Sequence, residues 1–209
     1  MKRSILVLLC ALVMSATSAE AVIISGAVTG GTAGGAFIEL DPASTFSVGQ
    51  DNFNTKNLYA FNEDQNIILT APLSADVGML TLPEGTEVAS HYIFFDPLND
   101  KTMRGYVIFD AKVLAIMTST ANLAASDFLI NNNVTYNSPS LRGLESGDTA
   151  TIGTVNLNRV NLDLRASSPG DYIRVLTERS PAAAVPEPAT MVLFGLGLSG
   201  LGLLRRKEA

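Results

Sequence analysis

The segment SHYIFFDPLNDKTMRGYVIFD, residues 90–110, decides the fold class of this chain. Its two outer parts, residues 90–96 and 103–110, are rich in aromatic and β-branched residues, which favour strands. The DPLND sequence between them is made of typical turn formers. The segment therefore predicts two strands separated by a turn, and the same pattern continues on both sides of it.

A strictly alternating segment gives the clearest strand signal. In RVNLDLR, residues 159–165, apolar side chains fall on one face and polar side chains on the other. The other candidate strands are residues 36–40, 57–61, 66–70, 111–117 and 171–177. Many short strands with turn clusters between them, at about ten-residue spacing, indicate a β-sandwich. The predicted fold class is mainly β, a jelly-roll-like β-sandwich with one short helix.

Two segments do not follow the strand pattern. STANLAASDFLI, residues 119–130, predicts the short helix, with Ser119 or Thr120 as its N-cap. The side chains expected to face inward are Leu123, Phe128 and Leu129. SGAVTGGTAGG, residues 25–35, lacks the Gly-Lys-Ser/Thr of a phosphate-binding loop and predicts a flexible lead into the first strand.

The N-terminus has the composition of a targeting segment. A basic start is followed by an apolar run over residues 5–14, and Ala19 and Ala21 form an A-x-A arrangement. This order predicts an N-terminal signal helix, a secretory signal peptide at residues 1–21; the alternative is an amphipathic or core helix. Cys10 is the only cysteine and would leave with the signal, so no disulfide is expected in the mature protein.

The charge of the central region is acidic. Residues 22–185 contain nine basic and 17 acidic residues, which is a net charge of −8. Nucleic-acid binding requires a basic face, so no nucleic-acid partner is expected. A net negative charge is compatible with an exported soluble domain.

His91 is the only histidine, and a Ser-His-Asp triad would require it. Neighbours along a strand point to opposite faces, so Ser90 does not meet it, and a half-exposed histidine without a catalytic role is expected. One histidine also disfavours a zinc site. No catalytic residue is predicted. The alternative is a hydrolase that uses paired carboxylates. The pairs considered are Glu145 with Asp148, and Asp163 with Asp171.

Ligand-binding residues are suggested by two weaker signals. Asp96, Asn99 and Asp100 offer oxygen ligands for Ca²⁺, although a role as turn formers is favoured, so no metal or other cofactor is predicted. The chain has no tryptophan, and tyrosines are the remaining candidates for stacking against sugars. These are Tyr59, Tyr92, Tyr106, Tyr136 and Tyr172.

The C-terminus has three parts in order. Val185, Pro186, Glu187 and Pro188 precede an uncharged apolar helix predicted at residues 189–204. Sixteen helical residues span about 24 Å, less than the roughly 30 Å of a bilayer core. The basic tail is Arg205, Arg206 and Lys207, which would remain on the cytoplasmic side. A buried C-terminal helix and a permanent anchor are the alternatives.

These three parts resemble the PEP-CTERM sorting signal of Gram-negative bacteria. The resemblance implies that an exosortase, a membrane-embedded cysteine protease, recognises residues 185–188 within a motif at 185–190. It also implies export through the Sec translocon, transient anchoring in the inner membrane through residues 189–204, and release or transfer to the cell surface or extracellular matrix. Such proteins commonly accompany exopolysaccharide and biofilm formation. The expected organisation is a signal peptide at 1–21, an exported β-sandwich domain at 22–180, and a linker with the sorting signal at 181–209.

Two function hypotheses follow from these features. The first is a non-enzymatic surface or matrix protein, structural or binding, with extracellular polysaccharide as its partner. The alternative is a hydrolase of matrix polysaccharide that uses paired carboxylates. A purely structural matrix component without a specific ligand is not separated from the first by the sequence.

Overall fold

The strand-forming segments assemble into several β-sheets. The computed structural model describes residues 20–179, which form fifteen strands and one α-helix. The strands are β1 (Ile23–Gly30), β2 (Phe37–Glu39), β3 (Phe46–Val48), β4 (Leu58–Asn62), β5 (Ile67–Ile68), β6 (Leu73–Ser74), β7 (Val77–Gly78), β8 (Thr81–Leu82), β9 (Glu87–Phe95), β10 (Lys101–Phe109), β11 (Val113–Met117), β12 (Val134–Tyr136), β13 (Thr149–Ile152), β14 (Arg159–Ala166) and β15 (Asp171–Thr177). The helix is α1 (Thr120–Ala125), and 3-10 turns lie at Asp127–Leu129 and Pro139–Leu141.

Two large sheets carry most of the strands. The four-stranded sheet has the order β1-β10-β14-β13, with antiparallel neighbours throughout. The seven-stranded sheet has the order β2-β4-β9-β15-β11-β7, and β5 pairs with β9 beside this path. Two small pairs complete the structure: β3 with β12, in parallel, and β6 with β8. The predicted turn at DPLND therefore connects β9 in one large sheet to β10 in the other.

The two large sheets share one apolar core. Val160, Leu162 and Leu164 of β14 point into it, as the alternation of RVNLDLR predicts, and Ile93 and Phe95 of β9 enter it from the other sheet. Removing this surface from water provides the main driving force for the packing of the sheets. The mainly β class with one helix is confirmed. The jelly-roll-like arrangement is not confirmed, since the sheets have four and seven strands.

The seven-stranded sheet is also buried on its second face, which we call the covered face. Its central side chains are Tyr59, Phe61, Tyr92, Phe94 and Tyr172, and residues of α1, β3 and β12 pack over them. The rings of Tyr59, Phe94 and Tyr172 stack in a row across three strands, with centroids 5.1 and 5.8 Å apart. Burial on both faces explains why β9 after Glu87 and all of β15 consist of buried residues instead of alternating buried and exposed ones.

The glycine-rich segment 25–35 was predicted as a flexible lead, and this prediction is wrong. Most of it belongs to β1, which pairs with β10 from Ile23 to Gly30. Gly26 is placed against the ring of Phe37, where an added Cβ would lie 2.5 Å from a ring carbon. The absence of a side chain at this position permits close packing of β1 and β2, so the composition reflects contact and not flexibility.

The predicted helix is shorter than its sequence pattern. Ser119 is the N-cap, as predicted, and its side chain accepts a hydrogen bond from the Asn122 N–H. At Ser126 the hydroxyl donates to the backbone oxygens of the preceding turn, and the chain continues as a 3-10 turn. This change of helical pitch leaves Leu129 buried but turns Phe128 to solvent, 55% exposed. The prediction that Phe128 faces inward is therefore wrong.

The predicted terminal helices lie outside the described residues. Within residues 20–179, no helix is long and apolar enough to span a membrane. Ala21, at the predicted cleavage position, is buried against Ala89 and Ala111, while Ala19 is not among the described residues. The signal peptide and the division into segments at 1–21, 22–180 and 181–209 stay predictions.

Candidate functional site

The solvent side of the four-stranded sheet presents the candidate site, and we call it the outer face. Its residues are Arg104 and Tyr106 of β10 and Arg159, Asn161, Asp163 and Arg165 of β14. The strand register places Tyr106 opposite Asn161 and Arg104 opposite Asp163. The alternation of β14 buries its other side chains in the core, so these polar groups all project from one surface.

Arg159 has a defined orientation on the outer face. Its guanidinium carbon lies 3.8 Å from the centre of the Tyr106 ring, which is a close cation–π contact. Its Nε donates a hydrogen bond of 2.7 Å to Asn161 Oδ1. Within residues 20–179, its two terminal nitrogens make no hydrogen bond or ion pair. The guanidinium is thus held in place while two of its donor groups remain available.

The other two arginines of the outer face are engaged in exposed ion pairs. Arg104 Nε lies 3.2 Å from Asp163 Oδ2. Arg165 donates two hydrogen bonds to Asp100, of 2.8 and 3.0 Å. The hydrogen bond from Arg165 holds the pKa of Asp100 below its usual value. All four side chains are more than half exposed, so these pairs contribute little to stability and remain accessible to a ligand.

A polar cleft of about 550 Å³ adjoins the outer face at Arg165. Its lining residues are Asp100, Glu145, Ser146, Gly147, Asp148, Arg165, Ala166 and Ser167. Asp148 is fixed here because its Oδ1 accepts a 2.7 Å hydrogen bond from the Arg165 N–H. Glu145 and Asp148, the first of the two carboxylate pairs considered for a hydrolase, therefore both line the cleft, which extends the outer face with further hydrogen-bonding groups.

Asp171 is buried close to this region and does not form the second pair considered, with Asp163. Asp163 projects from the outer face, whereas Asp171 begins β15 in the other sheet and is 2% exposed. Burial, together with the smaller effect of the Asp148 and Glu145 charges, raises the pKa of Asp171 to about 8. Within the described part of the chain, its buried Oδ2 has no hydrogen-bond partner. Asp171 is consequently protonated at neutral pH.

The covered face contains a buried ion pair that the sequence analysis missed. Arg174 Nε and Nη2 bind Glu63 Oε2 and Oε1 at 2.6 and 3.0 Å, and both side chains are fully buried. Ser90 and Tyr136 donate hydrogen bonds of 2.6 and 2.7 Å to the same carboxylate. Burial alone would lower the pKa of Arg174, but Glu63 raises it above its ordinary value. An arginine within the apolar run DYIRVLT was the available signal for such a pair.

A second ion pair extends this network toward the surface. Arg142 binds Asp127 through two hydrogen bonds of 2.8 Å, and Asp127 Oδ1 lies 3.4 Å from Arg174 Nη1. Partial burial raises the pKa of Asp127, but the bonds from Arg142 outweigh this and lower it. The network fixes the segment after α1 on the covered face, and every charge in it has a partner.

His91 is buried, and the expectation of a half-exposed histidine is wrong. Its Nδ1 lies 2.8 Å from Asn62 Oδ1, and its Nε2 lies 3.1 Å from the Thr177 hydroxyl. An amide oxygen only accepts, so Nδ1 carries the proton and Nε2 accepts from Thr177. Burial lowers the pKa of His91 to about 3. Ser90 points to the opposite face, as predicted, and binds Glu63.

The three residues considered as calcium ligands, Asp96, Asn99 and Asp100, lie in different environments and have different partners. Asp96 is buried and its Oδ2 accepts a hydrogen bond from the Phe53 N–H, while Asp100 pairs with Arg165 at the surface. Asn99 lies on the exposed turn between them. Within residues 20–179, no group of three or more His, Cys, Asp or Glu side chains is arranged to hold a metal ion.

Four of the five tyrosines considered for stacking against sugars pack in the interior of the domain. Tyr59, Tyr92 and Tyr172 are buried in the core of the covered face, and Tyr136 packs against it while donating to Glu63. Tyr106 alone among the five lies on the outer face, where Arg159 covers its ring. Arg159 and Asn161 were not singled out from the sequence, although the alternation of RVNLDLR already placed them on one polar face.

The described residues thus form a β-rich domain with a polar, arginine-bearing sheet face. Residues 184–207 match the family model of the PEP-CTERM protein-sorting motif, as their resemblance to that signal predicts. The chain matches no curated protein and no solved structure. The motif implies export, processing by an exosortase, and sorting to the cell surface or the extracellular space.

The residues of the sorting signal lie outside the described part of the chain. This applies to the recognition residues 185–188, to the apolar segment 189–204 and to the basic tail 205–207. Their individual roles, the passage through the Sec translocon and the transient membrane anchoring stay predictions.

Proposed function

We propose that this exported protein is a non-enzymatic component of the cell surface or biofilm matrix that binds extracellular polysaccharide through its outer face. The observation that carries the proposal is the group of Tyr106, Arg159 and Asn161. A ring, an oriented guanidinium and an amide on a flat sheet offer the apolar and hydrogen-bonding contacts that a sugar chain requires. The sorting motif supports it, because it sends the domain to the place where such polymers accumulate.

Co-sedimentation tests the binding. The mature protein is purified from the extracellular fraction of its native host and mixed with exopolysaccharide from the same host. We expect the protein to sediment with the polymer, and a variant with Tyr106→Ala and Arg159→Ala to remain in solution. Equal sedimentation of both proteins would exclude the outer face as the binding surface.

Mass spectrometry tests the sorting. If an exosortase removes the signal, the mature extracellular protein contains no peptide from residues 191–207. Peptides from the described domain serve as the internal control for coverage. Recovery of the intact tail from the extracellular fraction would contradict processing.

A second candidate function is hydrolysis of the matrix polysaccharide. It is favoured by Asp171, whose pKa is about 8 and which lies close to Glu145 and Asp148 at the cleft, as a general acid beside carboxylates would. The burial of Asp171 opposes direct contact with a substrate. Release of reducing ends from the host polymer, lost in Asp171→Asn, would favour the hydrolase over the binding protein.

A further inference from the structure

We infer that the outer face recognises a carboxylate-bearing polysaccharide, with Arg159 as the residue that binds the carboxylate. This inference rests on the proposed function and names the chemical class of its ligand. It follows from three properties of the outer face: the fixed orientation of Arg159 with its two available nitrogens, the distribution of charge, and the spacing of the arginines along the sheet.

Arg159 has the form of a preassembled anion receptor. The Tyr106 ring supports one face of its guanidinium, and the hydrogen bond from Nε to Asn161 fixes the direction of the plane. The two terminal nitrogens that remain are the pair that binds a carboxylate through two parallel hydrogen bonds. Because the side chain is ordered before the ligand arrives, less conformational entropy is lost on binding.

The charge of the outer face is opposite to that of the surrounding domain. The outward positions of β10 and β14 carry three arginines against one acidic residue, Asp163, while residues 22–185 as a whole have a net charge of −8. The other acids nearby are Asp100, which is paired with Arg165, and Glu145 and Asp148 at the adjoining cleft, so the excess positive charge lies at the Arg159 end of the face. An acidic polymer is repelled by most of such a domain and attracted to this one face. A neutral glycan would form no charge-assisted hydrogen bonds with these arginines, which is why the charge distribution favours an anionic ligand.

The arginines are spaced along the sheet in a way that suits a polymer. Arg159 and Arg165 lie six residues apart on one strand, which corresponds to roughly 20 Å. Arg104 projects between them from the neighbouring strand, opposite Asp163. The exposed pairs Arg104–Asp163 and Arg165–Asp100 can exchange their partners for ligand carboxylates at small cost, because pairs of this kind are weak.

The test compares the host exopolysaccharide with the same polymer after chemical reduction of its carboxyl groups to alcohols. The protein is the mature form purified from the native host, and the readout is the dissociation constant at fixed ionic strength. We expect the native polymer to bind and the carboxyl-reduced polymer to bind at least about tenfold more weakly, as expected for loss of charge-assisted hydrogen bonds.

Three variants locate the site. Arg159→Gln is expected to weaken binding of the native polymer about tenfold, and Arg159→Lys by a smaller factor, because lysine keeps the charge but not the paired donors. The matched control is Arg179→Gln, which removes an exposed arginine outside the outer face and is expected to change the dissociation constant less than twofold.

The possible failures are distinct. Equal binding of the native and carboxyl-reduced polymers overturns the anionic ligand but leaves polysaccharide binding standing. Equal losses in the Gln variants at positions 159 and 179 overturn the assignment of Arg159. Absence of binding to both polymers overturns the inference together with the proposed function.

Discussion

The covered face and the outer face use the same residue types in opposite ways. On the covered face, Arg174 and Glu63 are fully buried and bind each other through two hydrogen bonds. On the outer face, Arg104 and Asp163 form a single exposed contact, and Arg159 has no carboxylate partner within the described residues. The difference indicates that the buried charges are committed to the fold, whereas the exposed charges remain available for a ligand.

The strongest test of this comparison is Glu63→Gln. The substitution keeps the shape of the side chain but leaves the charge of Arg174 buried without its main partner. We expect a loss of about 4 kcal/mol in the free energy of unfolding, the range found when one member of a buried ion pair is removed. Urea denaturation followed by circular dichroism measures it. A loss below about 1 kcal/mol would show that the network is dispensable.

Asp171 is a buried acid, and among residues 20–179 its charged neighbours are the acids Asp148 and Glu145. An unfolded aspartate has a pKa of about 3.9, whereas the folded value is about 8. As the pH rises from 4 to 8, the unfolded chain releases this proton and the folded protein retains it. Stability therefore falls with increasing pH across this interval, and the full loss is reached above pH 8.

The variant Asp171→Asn removes this titration. We expect it to match the wild type closely at pH 4 and to exceed it by about 5 kcal/mol at pH 9, as measured by urea denaturation at both values. Asp163→Asn is the control, because it removes an exposed acid from the outer face but leaves Asp171 in place, so the fall in stability caused by Asp171 should be retained. A constant difference between Asp171→Asn and wild type at all pH values would contradict the raised pKa.

Asp76 differs from both Glu63 and Asp171, because its carboxylate accepts hydrogen bonds from uncharged donors at the start of α1. It accepts hydrogen bonds from the Thr118 and Ser119 N–H groups at 2.7 and 2.8 Å, and from Asn122 Nδ2 at 2.7 Å. Partial burial raises its pKa, but these bonds outweigh burial and lower it. Its contribution to stability is therefore present above its unfolded pKa, about 3.9, and is lost as the pH falls through the lower folded value.

For Asp76→Ala we expect a loss of about 2 kcal/mol at pH 7, because the two backbone donors lose their acceptor. The difference from wild type should shrink as the pH falls below 4. Thermal denaturation at pH 7 and pH 3 measures both effects. An undiminished difference at pH 3 would indicate that the carboxylate charge plays no part.

The sequence pattern predicted eight of the strands and the inward side of β14, because residue composition and alternation are local properties of the chain, but it missed β1 and most of the short strands. It did not predict the partner of Arg174, because Glu63 lies 111 residues away and the two meet only through the register of β4, β9 and β15. The contact of Arg159 with Tyr106 similarly depends on the pairing of β10 with β14. Short-range patterns do not encode register between distant strands, and for this reason the candidate site emerged from the structure.

The smallest expected effect comes from Asp163→Asn, and it completes the comparison with Glu63→Gln. Both substitutions remove the carboxylate of an arginine pair, but the pair of Asp163 with Arg104 is exposed to water and ions. We expect a change of less than about 1 kcal/mol in the free energy of unfolding, since solvent replaces the lost contact. Increasing the salt concentration should reduce even this difference, whereas the loss in Glu63→Gln should persist, because buried charges are poorly screened. Equal losses in the two variants would contradict the division between charges that stabilise the fold and charges that are left for a ligand.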